Sequence, residues 1–152
     1  MSKHTHTILV VDDDPTNLLI LEKVLRPSYN VITAGSGNAA LKILQREEEI
    51  SLLISDQRMP GMSGTELLRE SQLLRPDMVL MILTSNTDTE TFIDAVVKSG
   101  ALRVINKPWN VGDLLSAVED SLRRYESLLE RKRTIDRLKG TNEKLNRIAN
   151  PD

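Results

Sequence analysis

Short apolar runs followed by turn residues recur along most of the chain. They predict strands at about residues 7–11, 31–34, 51–55, 78–83 and 102–105. Runs of this kind are typical of strands that are buried on both faces of a parallel sheet. Between them, apolar residues recur at helical spacing, and each helix begins behind a capping residue, namely Asp14, Ser36, Ser63, Thr87 and Asn110. The pattern therefore predicts five strand–helix units, with the fourth helix ending at Gly100.

The order of these units predicts the architecture. Connections between parallel strands are right-handed, so alternating strands and helices favour a doubly wound α/β domain. We expect a five-stranded parallel sheet between two helical layers, which is a three-layer (βα)5 sandwich over residues 1–122. A chain of 152 residues has room for one such domain and an appendage, which we assign to residues 123–152.

The composition narrows the possible functions. The chain is 39% hydrophobic and 28% charged, its net charge is −2, and it contains no cysteine. This balance gives no electrostatic reason to expect binding to nucleic acid or to an anionic membrane, and it excludes disulfides and thiolate chemistry. No apolar run is long enough to span a membrane, so the cytoplasm is the expected location. We expect His4 and His6 to lie in a frayed, solvated terminus rather than to bind metal.

Residues after about 122 follow a different pattern, with many charges and no strand signal. Steps of three, four and seven separate Leu128, Ile135, Leu138, Asn142, Leu145 and Ala149. This is the a/d seam of a coiled coil, in which an a-position asparagine such as Asn142 fixes the register and favours a parallel dimer. We therefore predict that the last helix extends into a dimeric coiled-coil tail. The alternatives are one amphipathic helix that packs on its own domain or frays, and a helix that breaks at Gly140.

Polar residues stand directly after four of the predicted strands. In chain order they are Asp12 and Asp13, then Asp56, Thr84 and Lys107. Because the carboxyl ends of parallel strands meet at one crevice, we expect these side chains to lie close together. Asp14 is the helix cap beside Pro15, which leaves the two preceding aspartates free to face the crevice.

The three carboxylates suit a divalent cation. Mg²⁺ takes oxygen ligands, usually one or two protein carboxylates together with water and phosphate oxygens, and Mn²⁺ accepts a similar set. We expect Asp13 and Asp56 to supply two ligands and Asp12 to act through water. A backbone carbonyl in the turn at Gln57 and Arg58 can complete the set, and we assign it to Arg58.

The remaining groups suit phosphoryl transfer. A carboxylate such as that of Asp56 can accept a phosphoryl group and form an acyl phosphate. Transfer then requires alignment and neutralisation of the phosphoryl oxygens. We expect the Lys107 ammonium to pair with one oxygen and the Thr84 hydroxyl to donate to another. A cis peptide between Lys107 and Pro108 would direct the ammonium into the crevice.

The segments ILVVDDDPTN, SDQRMPGMSG, MILTS and NKPW together resemble the receiver domain of bacterial two-component response regulators, over about residues 6–122. The resemblance implies a flavodoxin-like fold and assigns metal binding to Asp12 and Asp13. It implies that Asp56 accepts a phosphoryl group from a histidine kinase or phosphotransfer protein in an Mg²⁺-dependent reaction. It also maps the switch hydroxyl to Thr84 and the conserved-type lysine to Lys107, with Pro108 expected cis. Such a domain acts as a self-phosphorylating switch rather than as an enzyme with external substrates.

The chain departs from the family pattern at Val104, three residues before the lysine, where receivers usually carry Tyr or Phe. A valine cannot swing between buried and exposed ring positions, so we expect signalling through the Thr84–Thr87 loop or through the tail. In this family, positions such as Arg58 and Asn86 tune hydrolysis of the acyl phosphate. The last residues are similar to the helical linkers that precede diguanylate cyclase domains, so an output domain can be missing from this chain.

Two other functions compete with that of a phosphorylated switch. Phosphatases of the haloacid-dehalogenase type also use an aspartate nucleophile and Mg²⁺, but they need a second aspartate two residues later, where this chain has Arg58. A pseudo-receiver that only binds partners is disfavoured because the full set of polar residues is present. Trp109 is interpreted as packing beside the Lys107–Pro108 turn in preference to anchoring a partner.

Overall fold

The predicted parallel sheet is present and has five strands. The structure, a computed structural model, describes residues 5–46, 49–85 and 102–149. The strands are β1 (Thr7–Val11), β2 (Asn30–Ala34), β3 (Leu52–Asp56), β4 (Val79–Thr84) and β5 (Leu102–Asn106). The described helices are α1 (Pro15–Leu25), α2 (Gly37–Leu44), α3 (Gly64–Leu74) and α4 (Val111–Ala149). All strand pairs are parallel and the order is β2-β1-β3-β4-β5, which is the flavodoxin-like arrangement.

Alternate side chains of the strands enter two separate hydrophobic clusters, one on each face of the sheet. One cluster joins the sheet to α1 and α4 and includes Ile8, Val10, Leu52, Ile54, Leu25 and Leu114. The other joins it to α2 and α3 and includes Leu9, Val11, Leu53, Ile82, Leu44 and Leu67. Because strand side chains alternate between faces, apolar residues at every position produce a sheet covered on both sides. The three-layer prediction is confirmed.

Four of the five predicted helix caps make their hydrogen bonds. Side-chain oxygens of Asp14, Ser36, Ser63 and Asn110 accept backbone N–H groups two or three residues further on. The caps satisfy donors that the first helical turn leaves without a partner. The helix predicted from Thr87 to Gly100 lies outside the described residues, as do Asn86, His4 and most of the Thr84–Thr87 loop.

The last helix is continuous for 39 residues and leaves the domain part-way along its length. Its first half is anchored by buried side chains as far as Leu122. Beyond that, Leu138 is 59% exposed and Ile135 and Leu145 are similarly open. The helix passes through Gly140 without a break, so the predicted alternative of a break there is wrong. Of the seam residues, Leu128 packs against the domain core, whereas Ile135, Leu138 and Leu145 do not. No helix in the described part of the chain has the length and apolar content to cross a membrane.

The expectation for His6 was wrong, because its ring is held against the body of the domain. The His6 side chain is 14% exposed, and its Nε2 donates to the Glu126 carboxylate of α4 at 2.8 Å. Its Nδ1 lies 3.0 Å from the Ser51 hydroxyl, and its ring meets the ring of Tyr125 edge-on. The partners come from the start of β3 and from α4, which crosses the amino-terminal ends of the strands. A lone histidine near a terminus carries no sequence signal of that crossing.

Candidate functional site

The three predicted acidic residues lie together. Carboxylate oxygens of Asp12, Asp13 and Asp56 are all within 4.8 Å of one another. The pairing of β1 with β3 explains this, since Val11 stands opposite Ser55 and the aspartates follow directly on each strand. One edge of the sheet therefore carries three carboxylates in a single crevice.

Asp12 is the most buried of the three, with 2% of its surface exposed. Burial raises the pKa of Asp12, a hydrogen bond from the Asp14 backbone N–H at 3.0 Å opposes that rise, and the neighbouring Asp56 adds to it. An ionised Asp12 is thus costly unless a cation is close. Three oxygen donors of like charge in one crevice form the set that a hard divalent cation requires, so the residues present fit such an ion.

Lys107 reaches the same crevice from the far side of β4. Its ammonium donates to Asp56 Oδ1 at 2.5 Å, in a partly buried ion pair. Its backbone N–H donates to the Thr84 carbonyl at 2.9 Å, which fixes the end of β5 beside the end of β4. The following Lys107–Pro108 peptide is cis. One positive charge therefore offsets part of the charge of the three carboxylates.

Thr84 is the last residue of β4 and is buried. The register pairs Asp56 with Leu83, so Thr84 stands one position beyond the aspartate on the neighbouring strand. Asn106 is its partner on β5, next to Lys107. The sheet thus brings the hydroxyl, the ammonium and the acidic cluster to one edge.

A cavity of about 540 Å³ opens beside these groups, between α1 and the turn after β5. Its polar lining includes Asp12, Asn17, Ser85 and Lys107, and its apolar lining includes Ile20, Leu21, Leu83, Pro108 and Trp109. Trp109 is half-buried and packs against the core, which confirms the packing interpretation, while one side of it borders the cavity. A charged group can therefore enter beside an apolar wall.

Two predicted residues lie nearby with less direct involvement. Val104 sits in β5 opposite Ile82 and packs against the apolar core. Arg58 stands in the turn two residues after Asp56, with its side chain exposed. The assignment of its backbone carbonyl as a metal ligand stays a prediction.

Sequence reasoning missed the structural importance of Gln57 and Gly64. Gln57 is buried, and its Oε1 accepts hydrogen bonds from both the N–H and the hydroxyl of Thr65. A Cβ on Gly64 would lie 2.4 Å from the Asp56 carbonyl oxygen, so only glycine lets α3 begin so close to the end of β3. The available signal was a polar residue placed directly after a buried strand.

Comparison with known proteins gives this fold and site a family. The family described as response regulator receiver domain matches residues 8–119. The hydrogenase transcriptional regulatory protein HoxA of Cupriavidus necator is 34% identical over 122 residues, which are 80% of this chain and 25% of that protein. The transcriptional regulatory protein ZraR of Escherichia coli K12 is 38% identical over 122 residues, or 80% of this chain and 27% of that protein.

A solved structure supports the same assignment. A chain described as adenylate cyclase from Rhodopirellula baltica superposes with a TM-score of 0.81 at 32% identity, covering 86% of this chain and 97% of that one. The present chain spans only about a quarter of the length of the curated relatives it matches. The family match covers well over half of the chain. The chain therefore belongs to the response regulator receiver family.

Proposed function

We propose that Asp56 is the residue that accepts a phosphoryl group, and that the donor is a phosphohistidine on a histidine kinase or phosphotransfer protein. The observation that carries the proposal is the Lys107 contact with Asp56 Oδ1 at 2.5 Å inside a cluster of three carboxylates. Asp56 thus lies beside a cation that can pair with a phosphoryl oxygen and within a carboxylate cluster that fits a divalent metal. Membership of the receiver family makes a signalling switch the expected role.

The transfer balances with the groups present. An Asp56 carboxylate oxygen attacks the phosphorus, a P–O bond forms, and the P–N bond of the donor breaks. The electron pair of that bond returns to the imidazole nitrogen. The donor leaves as neutral histidine when its other ring nitrogen carries a proton before the transfer. The Lys107 ammonium can move its hydrogen bond from the carboxylate to a phosphoryl oxygen, and the Thr84 hydroxyl can donate a hydrogen bond to a second phosphoryl oxygen.

Mg²⁺, or Mn²⁺ in its place, would be held by Asp13 and Asp56, with Asp12 acting through water and the Arg58 carbonyl completing the set. Bound there, the ion supplies positive charge that neutralises the phosphoryl oxygens during transfer. The oxygen-only donor set supports a hard cation over a thiophilic one. Asp12 has a separate role in this scheme, because its burial makes the crevice favour any cation that enters.

The test is to measure acyl phosphate formation by intact mass after incubation with a phosphorylated phosphotransfer protein and Mg²⁺. We expect one added phosphoryl group in the natural chain and none in Asp56→Asn. Asp136→Asn, which changes an exposed aspartate of α4, is the matched control and should be phosphorylated normally. A natural chain that stays unmodified, or an Asp56→Asn variant that is still phosphorylated, would overturn the assignment.

We further propose that residues 1–122 form the receiver and that residues 123–152 form a linker that pairs with a second copy of this chain. The exposed seam at Ile135, Leu138 and Leu145 supports pairing, because three large apolar side chains on one helix face are open to solvent. In the heptad set by that seam, Lys132 and Lys139 occupy e positions and Thr134 a g position. A parallel pair brings Lys139 near Thr134, whereas an antiparallel pair brings lysines together, so the charges favour a parallel dimer.

The relatives are regulatory proteins about four times as long as the matched region, and this supports a role within a larger protein. We propose that phosphorylation changes the pairing of the two tails and so controls an output domain. No nucleic-acid contact through the receiver itself is proposed.

A further inference from the structure

The loop between β3 and α3 is closed at its neck by a single residue, Gln57. The Gly64 N–H donates to the Gln57 backbone carbonyl at 2.9 Å. The Gln57 side chain makes the second closure, since Oε1 accepts the Thr65 N–H at 3.0 Å and the Thr65 hydroxyl at 2.7 Å. At the far end of the loop, Gly61 has a φ of +82°, the left-handed conformation that favours glycine. Residues 58–63 are therefore a loop with both ends held together.

Gln57 is also fixed on its other side. Its N–H donates to the Leu83 carbonyl of β4 at 3.1 Å, and its surface is only 7% exposed. The absence of space at Gly64 shows how tightly α3 abuts Asp56. A displacement of the first turn of α3 would therefore also displace the backbone at the end of β3.

We propose that Gln57 and Thr65 are positioning residues that hold the metal-binding end of β3 in shape for phosphoryl transfer. The inference rests on the proposed function of Asp56. Gln57 stands between the two chain positions that the metal is proposed to use, the Asp56 side chain and the Arg58 carbonyl. Rotation about its backbone would separate those ligands, and the three hydrogen bonds from α3 oppose that rotation.

The test compares two hydrogen bonds in the same helix. Thr65→Val removes the hydroxyl that donates to Gln57 Oε1. Thr65→Ser keeps a hydroxyl at that position. Ser71→Ala is the matched control, because the buried Ser71 hydroxyl donates to Leu68 O at 2.9 Å within α3 and does not contact the loop. Gln57→Leu is the stronger variant and removes the acceptor altogether. For each protein, the Mg²⁺ dissociation constant is measured by calorimetric titration, and the rate of acyl phosphate formation is measured at low and at saturating Mg²⁺.

We expect Thr65→Val to raise the Mg²⁺ dissociation constant roughly threefold to tenfold, as the loss of one partly buried hydrogen bond implies. The rate should fall most at low Mg²⁺. Thr65→Ser should return to the natural values, and Ser71→Ala should lower the melting temperature without changing the dissociation constant. The double variant that combines Thr65→Val with Gln57→Leu should bind Mg²⁺ no more weakly than Gln57→Leu alone, because both changes remove the hydrogen bond from the Thr65 hydroxyl to Gln57.

Two results would overturn the inference while leaving Asp56 as the acceptor. One is an unchanged dissociation constant in both Thr65→Val and Gln57→Leu, and the other is an equal change in Thr65→Val and Ser71→Ala, which would indicate general destabilisation of α3. A natural chain that binds no Mg²⁺ and takes no phosphoryl group would instead overturn the proposed function, and the positioning role with it.

Discussion

At the carboxyl-terminal edge of the sheet three carboxylates lie together and the Lys107 ammonium contacts one of them, whereas at the amino-terminal edge each carboxylate accepts from a side-chain donor of its own. Glu126 of α4 accepts from His6, and Lys132 donates to Asp77 at 3.0 Å. The pair at Asp77 raises the pKa of Lys132. Both contacts link α4 to residues at the starts of strands, although the exposed Lys132–Asp77 pair adds little to stability. The excess of negative charge at the first edge fits the binding of a cation, whereas the contacts at the second edge join α4 to the strand ends.

The largest effect is expected from removing the Lys107 ammonium, which increases the excess of negative charge in the acidic crevice. Lys107→Met should slow acyl phosphate formation roughly 100- to 1,000-fold, the usual range for loss of one stabilising group in the transition state. The same variant should bind Mg²⁺ at least as tightly as the natural chain, because the ammonium that competes for Asp56 has gone. Rates by intact mass and dissociation constants by calorimetry check both statements.

The control for this variant lies at the other edge. Lys132→Gln removes a lysine that pairs with Asp77 and should leave both the rate and the dissociation constant unchanged. Weaker Mg²⁺ binding in Lys107→Met would contradict the charge argument, since it would mean that the lysine helps to build the metal site.

The tail gives the next largest effect. Leu138→Asp should weaken dimerisation at least about 100-fold, because two copies each lose about 1.5–3 kcal/mol of leucine burial. Leu73→Asp changes a leucine on α3 that is 78% exposed and should leave dimerisation unchanged. Light scattering with and without Mg²⁺ and beryllium fluoride, which mimics the aspartyl phosphate, measures the molar mass. A natural chain that is monomeric in every state would contradict the coiled-coil proposal.

A smaller effect is expected at Asp12. Because burial raises its pKa, folded Asp12 binds a proton more tightly than unfolded Asp12 does. Its contribution to stability is therefore full below the unfolded pKa and is lost as the pH rises through the raised value. At neutral pH and without metal, Asp12→Asn should raise the melting temperature by a few degrees, on the order of 1 kcal/mol.

Adding Mg²⁺ distinguishes the effect of Asp12→Asn on stability from the effect of removing any surface carboxylate. The ion should stabilise the natural chain more than Asp12→Asn, and its affinity for the natural chain should fall at acidic pH as Asp12 takes up a proton. Asp77→Asn at the opposite edge removes a paired carboxylate and should not raise the melting temperature. Calorimetric melting in EDTA and in Mg²⁺ compares the three proteins, and equal stabilisation of all three by Mg²⁺ would argue against Asp12 as part of the site.

The two edges also differ in how far the sequence predicted them. Each polar residue of the crevice lies at the end of a strand or within two residues after it. Strand periodicity and the convergence of parallel strands therefore sufficed to predict that Asp56 and Lys107 lie together. The contacts of His6 depend on the path by which α4 crosses the sheet, which no local pattern encodes. The bonds of Gln57 depend on a side-chain conformation chosen by packing against α3. Contacts that follow from the order of strands along the chain could therefore be predicted from the sequence, whereas contacts that depend on how a helix packs on the sheet could not.

The smallest effect on phosphoryl transfer is expected at His6, and it tests whether the amino-terminal edge only anchors the tail. His6→Ala removes two hydrogen bonds and a ring contact, so we expect a loss of about 1–2 kcal/mol in the free energy of unfolding. Hydrogen exchange should quicken around Tyr125 and Lys132, because α4 loses its contact with the start of β1. The rate of phosphorylation should stay within about twofold of the natural chain, since the crevice lies at the opposite edge. Ser71→Ala, which loosens a different helix, should leave exchange in α4 unchanged. A slowed phosphorylation rate in His6→Ala would mean instead that the two edges are coupled through the sheet, so that the contact that holds the tail also reports on the acidic crevice.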